Sequence, residues 1–307
     1  MAHRLIFLGT SAGVPTRSRN VSALALQLEN TKEWMLFDCG EGTQHQIMKT
    51  SLSVYNLSRI FITHLHGDHV YGLFGLLASR GMTRAESPLE IYGPAGIRQM
   101  LETVMRLSQL NLPFDLKVFE ISEGTVLRYE GFRIDTVALS HSIVSYGFVL
   151  SFDEKPGHFD IKKAKKLGIP EGPLYARLKK GERITLPDGR SIEGNSLVGP
   201  SIPGKKIAIG GDNDDPMLFA PYAPFDLMIH EATYTQKDFE NLPRKFRHTT
   251  AKQLAQAAQK MGTKHLILTH ISPRYDKNGR ISELLEEAKK YFTDEVEIAY
   301  DFMEIRI

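Results

Sequence analysis

Thr63-His64-Leu65-His66-Gly67-Asp68-His69 puts four side chains able to hold a metal within six residues, directly after the apolar run 58–63. A strand ending there sets His64 and His66 on one side of the turn, because alternate residues share a face. Asp68 and His69 then open the next helix, so two ligand sets diverge toward two ions about 3.5–4 Å apart. Neutral imidazole and carboxylate are ligands that zinc takes readily. The plainer alternative is a polar loop with Asp68 as a helix cap; such a loop has no need of three histidines in this order.

A two-metal site needs further ligands, and three strand ends can supply them. His141 follows the apolar run 132–139, Asp212 follows 206–210 in Gly210-Gly211-Asp212, and His270 follows 265–269. Singly, a strand-end His or Asp is more often structural. Together they complete two three-residue sets joined by a shared carboxylate. Asp38, after the run 34–37, is expected to hold a ligating histidine in one tautomer, or else to cap a helix. His45, His158 and His265 read as structural or solvated.

The rest of the chain predicts the frame around these residues. Runs at 4–8, 22–28 and 34–37 are spaced like hairpins, an antiparallel start. A helix over 40–50, the strand 58–63, a helix over 69–81, a strand at 89–92 and a helix over 95–107 follow. Residues 116–121, 126–129, 132–139 and 147–152 read as further strands. After position 206 come strands at 206–210, 226–230 and 265–269, helices over 249–261 and 282–292, and a strand at 296–300. Two groups of strands with helices between and after them predict a layered α/β protein, and the hairpin start argues against a purely parallel sheet.

Residues 153–206 break this rhythm. They carry nine lysines and three arginines against seven acidic residues, a surplus of five, while the whole chain of 307 residues has a net charge of +2. The segment is therefore expected to be an inserted arm, and any nucleic-acid surface a local patch. Cys39 is the single cysteine, which excludes a disulfide framework and a cysteine-rich zinc site; it reads as a small buried apolar residue. No run is apolar and long enough to span a bilayer. The start, Met1 to Gly9, reads as a strand rather than a signal peptide, so the cytoplasm is the expected location.

The order His-x-His-x-Asp-His, with later His, Asp and His, resembles the metallo-β-lactamase superfamily, whose fold is an αββα sandwich with a two-metal site at one edge. Finer motifs resemble the tRNase Z family in its short bacterial form, over nearly the whole chain. Pro15-Thr16-Arg17-Ser18-Arg19-Asn20 is similar to that family's Pro-x-Lys-x-Arg-Asn loop, with arginine at the lysine position. His230-Glu231-Ala232-Thr233, His248-Thr249-Thr250 and Ala299-Tyr300-Asp301-Phe302 match further family motifs. Asn213 stands where the family often has threonine after the ligating aspartate.

The resemblance implies a single metallo-β-lactamase domain over 1–307, with an exosite arm at about 153–206. It implies two Zn2+ per subunit on His64, His66, Asp68, His69, His141, Asp212 and His270. Asp68, His248 and Glu231 are then the catalytic groups: Asp68 as proton acceptor, His248 as donor to the leaving 3′ oxygen, Glu231 as the group that orients it. Arg17, Arg19, Asn20, Gly172, Pro173, Lys179 and Lys180 would contact precursor tRNA, whose 3′ trailer a homodimeric enzyme removes. The fold hosts many chemistries, so a phosphodiesterase of small substrates and a non-catalytic zinc-containing RNA-binding protein stand as alternatives.

Overall fold

The computed structural model describes residues 3–276 and 279–307; Met1 and Ala2, at the head of the start read above as a strand, lie outside the described residues. In chain order the strands are β1 (Arg4–Gly9), β2 (Ala23–Gln27), β3 (Trp34–Phe37), β4 (Leu57–Phe61), β5 (Leu89–Gly93), β6 (Leu116–Glu120), β7 (Val126–Tyr129), β8 (Phe132–Leu139), β9 (Ser145–Phe152), β10 (Arg183–Thr185), β11 (Ser191–Glu193), β12 (Lys206–Ile209), β13 (Leu227–Glu231), β14 (His265–Thr269), β15 (Glu295–Ile298) and β16 (Glu304–Arg306). The helices are α1 (Thr43–Ile47), α2 (Gly67–Val70), α3 (Leu73–Met82), α4 (Ile97–Ser108), α5 (Ile161–Lys166), α6 (Pro173–Lys179), α7 (Gln236–Glu240), α8 (Ala251–Lys260) and α9 (Ile281–Ala288).

Two seven-stranded sheets result, one in the order β16-β1-β2-β3-β4-β5-β6 and one in the order β15-β14-β13-β12-β9-β8-β7. Alternation along each strand decides what lies on each face. Ile6 and Leu8 of β1 join Leu73, Leu77 and Leu101 in a core between the first sheet and α3 and α4. On the second sheet, Met228 and Leu266 pack with Leu254, Ala258 and Leu284 of α8 and α9. Between the sheets, Phe37 and Phe61 stack at 5.0 Å and meet Phe148 of β9 at 5.7 and 5.4 Å. The layers run α/β/β/α, as the resemblance implies.

Strand direction gathers the site. β3, β4 and β5 are parallel in the first sheet, and β12, β13 and β14 in the second. Parallel neighbours end at the same edge, so Asp38, His64, Asp212, Glu231 and His270 all emerge there. The antiparallel start is present, β1 pairing β2 and β2 pairing β3.

Several expected elements differ in extent. The helix expected over 69–81 is two, α2 and α3, broken at Tyr71 and Gly72. A Cβ at Gly72 would lie 2.0 Å from the Gly40 carbonyl oxygen. The Gly72 amide donates to the Cys39 carbonyl at 2.9 Å, and the Cys39 amide to the His69 carbonyl at 2.8 Å. Backbone contact, rather than helical continuity, thus positions Asp68 and His69. The helix expected over 40–50 is confined to α1, with Gly42 ahead of it at φ 74°. The helix expected over 282–292 ends at Ala288. β16, unforeseen, pairs antiparallel with β1.

The chain divides into two compact units, one of residues 1–128, 133–150 and 206–307, the other of Tyr129–Phe132 and Ser151–Lys205. The second unit is more regular than its composition suggests. α5 is capped by Asp160, whose carboxylate accepts from the Lys163 amide at 2.8 Å, and β10 and β11 form an antiparallel hairpin. Its core is small: Ala164, Ile169, Leu178, Ile184, Leu186, Ile192 and Leu197. Among the described residues no helix is long and apolar enough to cross a membrane.

Candidate active site

His64, His69, His141 and His270 each have one ring nitrogen fixed by a hydrogen bond, and the network assigns their tautomers. The Thr63 hydroxyl donates to Asp38 at 2.9 Å, so it must accept from His64 Nδ1, also at 2.9 Å. The Thr63 amide donates to the other Asp38 oxygen at 2.8 Å. His69 Nδ1 donates to Asp38 Oδ2 at 2.7 Å, and His141 Nδ1 donates to the Arg247 carbonyl at 2.9 Å. The Thr233 hydroxyl donates to Glu231 Oε2 and lies 3.2 Å from His270 Nδ1, from which it accepts. His64, His69, His141 and His270 are therefore left with bare Nε2 lone pairs.

Those lone pairs converge. His64 Nε2 lies 3.1 Å from His66 Nδ1, and His141 Nε2 lies 3.2 Å from the same atom. Asp212 Oδ2 is 3.7 Å from His64 and 3.8 Å from His141. Beside them, His69 Nε2 and His270 Nε2 are 3.3 Å apart, each 3.3 Å from Asp212 Oδ1 and 3.4 and 3.3 Å from Asp68 Oδ2. Two donor groups emerge, His64–His66–His141–Asp212 and Asp68–His69–His270, with Asp212 facing both. Asp212 Oδ1 is buried without a hydrogen-bond partner. Lone pairs packed against lone pairs and an orphaned carboxylate oxygen are unfavourable unless a cation lies among them, so the donor set fits a metal.

The electrostatics agree. Burial and the neighbouring His69 hold His64 well below the usual imidazole range, and burial with His141 lowers His66. Burial opposes charge on His69, yet Asp212 and Asp38 pull it well above that range. Burial likewise opposes charge on Asp212, but His270, His69 and His64 hold it well below the usual carboxylate range. The field at this point favours a positive charge.

Holding these groups demands special backbone. Asp38 and His270 both sit in the left-handed region, at φ 57° and 52°, a conformation that non-glycine residues adopt only when their surroundings enforce it. A Cβ at Gly211 would lie 2.7 Å from the Thr63 Cβ, so glycine permits the ends of β12 and β4 to meet. Asn213 is buried and fully engaged. Its amide donates to Glu231 at 2.6 Å and its side-chain nitrogen to His230 Nε2 at 3.1 Å, while its side-chain oxygen accepts from the Ser140 amide at 3.1 Å.

His248 groups with Asp212 and His270, its Nδ1 3.8 Å from Asp212 Oδ2, and stands half-buried at the wall of a cleft of about 430 Å³ that Asp68, Asp212 and His270 also line. Its Nδ1 is 3.0 Å from Glu231 Oε2 and 3.2 Å from Oε1, which leaves Nε2 for the cleft. Burial works against its protonation, but the Glu231 carboxylate lifts its pKa to about 9.

The loop at 15–20 divides its arginines. Arg17 is exposed. Arg19 is buried, its Nε 3.0 Å from Asp276 and its Nη1 donating to Thr10 and to the Ala299 carbonyl at 2.7 and 2.6 Å. The Asn20 amide donates to Asp301 at 2.6 Å and its side chain to the Glu41 carbonyl at 2.9 Å. Arg19 and Asn20 thus anchor the loop, and Arg17 is the member that faces solvent. In the second unit, Gly172 and Pro173 begin α6, and Lys179 and Lys180 are exposed beside a cleft. Sequence reasoning missed Thr63 and Thr233, which fix two tautomers, and Arg247, whose carbonyl fixes a third. Thr63 and Thr233 each sit inside a recognised motif, and Arg247 in the basic run Arg244-Lys245-Phe246-Arg247 before His248, but nothing in the sequence pointed to these partnerships.

Residues 3–158, just over half of the chain, match the family described as Anti-Pycsar protein Apyc1; the match takes in His64–His69 and His141 and ends before Asp212. Full-length similarity is to ribonuclease Z. The enzyme of that name from Acaryochloris marina is 44% identical over 99% of this chain and 97% of its own length. That from Bacillus velezensis is 43% identical over 99% and 98%. Among solved structures, the short form of human tRNase Z is 30% identical, with a TM-score of 0.69 and 99% of each chain covered. YhfI from Bacillus subtilis has the same TM-score at 17% identity and shares the fold alone. On this footing the chain belongs to the ribonuclease Z family of hydrolytic endoribonucleases on the metallo-β-lactamase fold, its first half falling within the family described as Anti-Pycsar protein Apyc1.

Proposed function

We propose that His64, His66, His141 and Asp212 hold one zinc ion, and Asp68, His69, His270 and Asp212 a second, in an enzyme that removes the 3′ trailer from precursor tRNA. The observation that carries this is the convergence of His64 Nε2 and His141 Nε2 on His66 Nδ1 at 3.1–3.2 Å, with the Nδ1 atoms of His64 and His141 already engaged. Zinc, when bound, supplies Lewis acidity and a water acidic enough to act as a nucleophile near neutral pH.

The chain's own groups do the rest. Asp68, whose Oδ2 also accepts from the Gly13 amide at 2.8 Å, receives the proton of the attacking water. As the bond from phosphorus to the 3′ oxygen of the tRNA breaks, His248 Nε2 protonates that oxygen. Glu231 fixes the ring through Nδ1 and keeps it charged. The products are a 3′-hydroxyl on the tRNA and a 5′-phosphate on the trailer. Lys179 and Lys180 meet the phosphate backbone of the folded RNA, a recognition of shape rather than sequence, and Arg17 faces the acceptor end. The enzyme works as a homodimer in the cytoplasm, and sedimentation at working concentration reads the dimer.

The test is incubation with a tRNA bearing a 3′ trailer, followed by mapping of the new ends. A tRNA ending in a 3′-hydroxyl is expected. An intact trailer under conditions where the enzyme hydrolyses a cyclic nucleotide would overturn the assignment.

A further inference from the structure

Between α7 and His248 runs Arg244-Lys245-Phe246-Arg247, whose residues alternate in what they touch. Lys245 Nζ donates to the carbonyls of Phe239 and Glu240 at the end of α7. Arg247 donates to Asp214 at 2.8 Å, to Ser140 Oγ at 2.6 Å and to the His141 carbonyl at 2.8 Å. Both are engaged within the protein, and they pin the segment. Arg244 and Phe246 are not. Phe246 is 48% exposed and lines the same cleft as His141 and His248. The Arg244 guanidinium lies 5.7 Å from its ring centroid, and Arg244 makes no ion pair among the described residues.

An aromatic ring held half-bare beside a reaction centre, with a cation over one face, is the arrangement by which proteins grip single-stranded nucleic acid. Stacking tolerates any base, because every base has a π-face, which suits a site whose substrates differ in sequence. We propose that Phe246 stacks on the base of the last retained nucleotide, the one whose 3′ oxygen leaves, and that Arg244 contacts a neighbouring phosphate. The choice of nucleotide rests on His248 being the donor to that oxygen, since both side chains project into one cleft from positions two apart.

A double-mutant cycle tests this. Cleavage by wild type, Phe246→Ala and Phe246→Trp is measured on precursors that are intact, abasic at the last retained nucleotide, or abasic at the first trailer nucleotide. Phe246→Ala is expected to lower kcat/KM on the intact precursor roughly 5- to 100-fold. The abasic change at the retained nucleotide should lower the wild-type value similarly, the two losses should not multiply, and Phe246→Trp should restore cleavage. Arg244→Ala should reduce the slope of log affinity against log salt by about one. Losses that multiply, or a coupling that appears only at the trailer nucleotide, overturn the stacking assignment; an unchanged salt slope removes Arg244. Wild-type failure to cut the intact precursor would instead count against the proposed function.

Discussion

Around the histidines, polar side chains are buried and their hydrogen bonds determine one another; in the inserted unit, charged side chains lie in solvent and pair locally. Asp38, His64, His69, Asp212 and Glu231 are all at most 6% exposed, and moving one changes the tautomer or charge of the next. Ion pairs of the inserted unit, among them Lys165 with Glu171, Arg177 with Glu182, Arg183 with Glu193 and Arg190 with Asp188, join side chains that are about half exposed or more. Such exposed pairs contribute little to stability. The contrast teaches that the two regions fail differently on substitution: the site all at once, through geometry, and the arm by increments, through summed charge.

The sharpest way to break this comparison is Asp212→Ala, which should abolish cleavage and lower the metal content of the purified protein; retained metal with cleavage intact would show that the two donor groups act independently. Next is His248→Ala. It is expected to slow cleavage about 10²- to 10⁴-fold with metal content unchanged, measured by single-turnover kinetics alongside metal analysis, and a variant that lost metal would make His248 a ligand. Asp38→Ala leaves His69 Nδ1 and Thr63 without their acceptor, and metal affinity should fall roughly 10- to 100-fold in a chelator competition. Smallest is the pair Lys179→Ala and Lys180→Ala. Together they should reduce the salt slope of precursor binding by up to about two, and an unchanged slope would take these lysines out of the RNA contact.

Much of the site was legible because its signals are local. Four of the donors fall between His64 and His69, and His141, Asp212 and His270 each end an apolar run, which strand polarity turns into a common edge. What sequence could not show depends on distant partners. Thr63 and Thr233 stand inside recognised motifs, but their part in fixing tautomers shows only when Asp38 and Glu231 come within reach. Arg19 reads as an RNA contact, yet Asp276, far along the chain, draws it into the protein. The helical periodicity through 69–81 was real, but the close approach of Gly40 to Gly72 interrupts it. Residues 153–206 seemed irregular because their core is spread thinly, one or two apolar residues per short element.

Seven side chains from four stretches of chain are proposed to hold a metal pair on which RNA cleavage depends. Elemental analysis of the purified full-length protein, with trailer cleavage assayed on the same sample before and after chelation, tests it most directly. Two zinc ions per chain are expected, with loss of cleavage as they are removed and recovery on their return. Full cleavage of precursor tRNA by protein carrying no metal would contradict it.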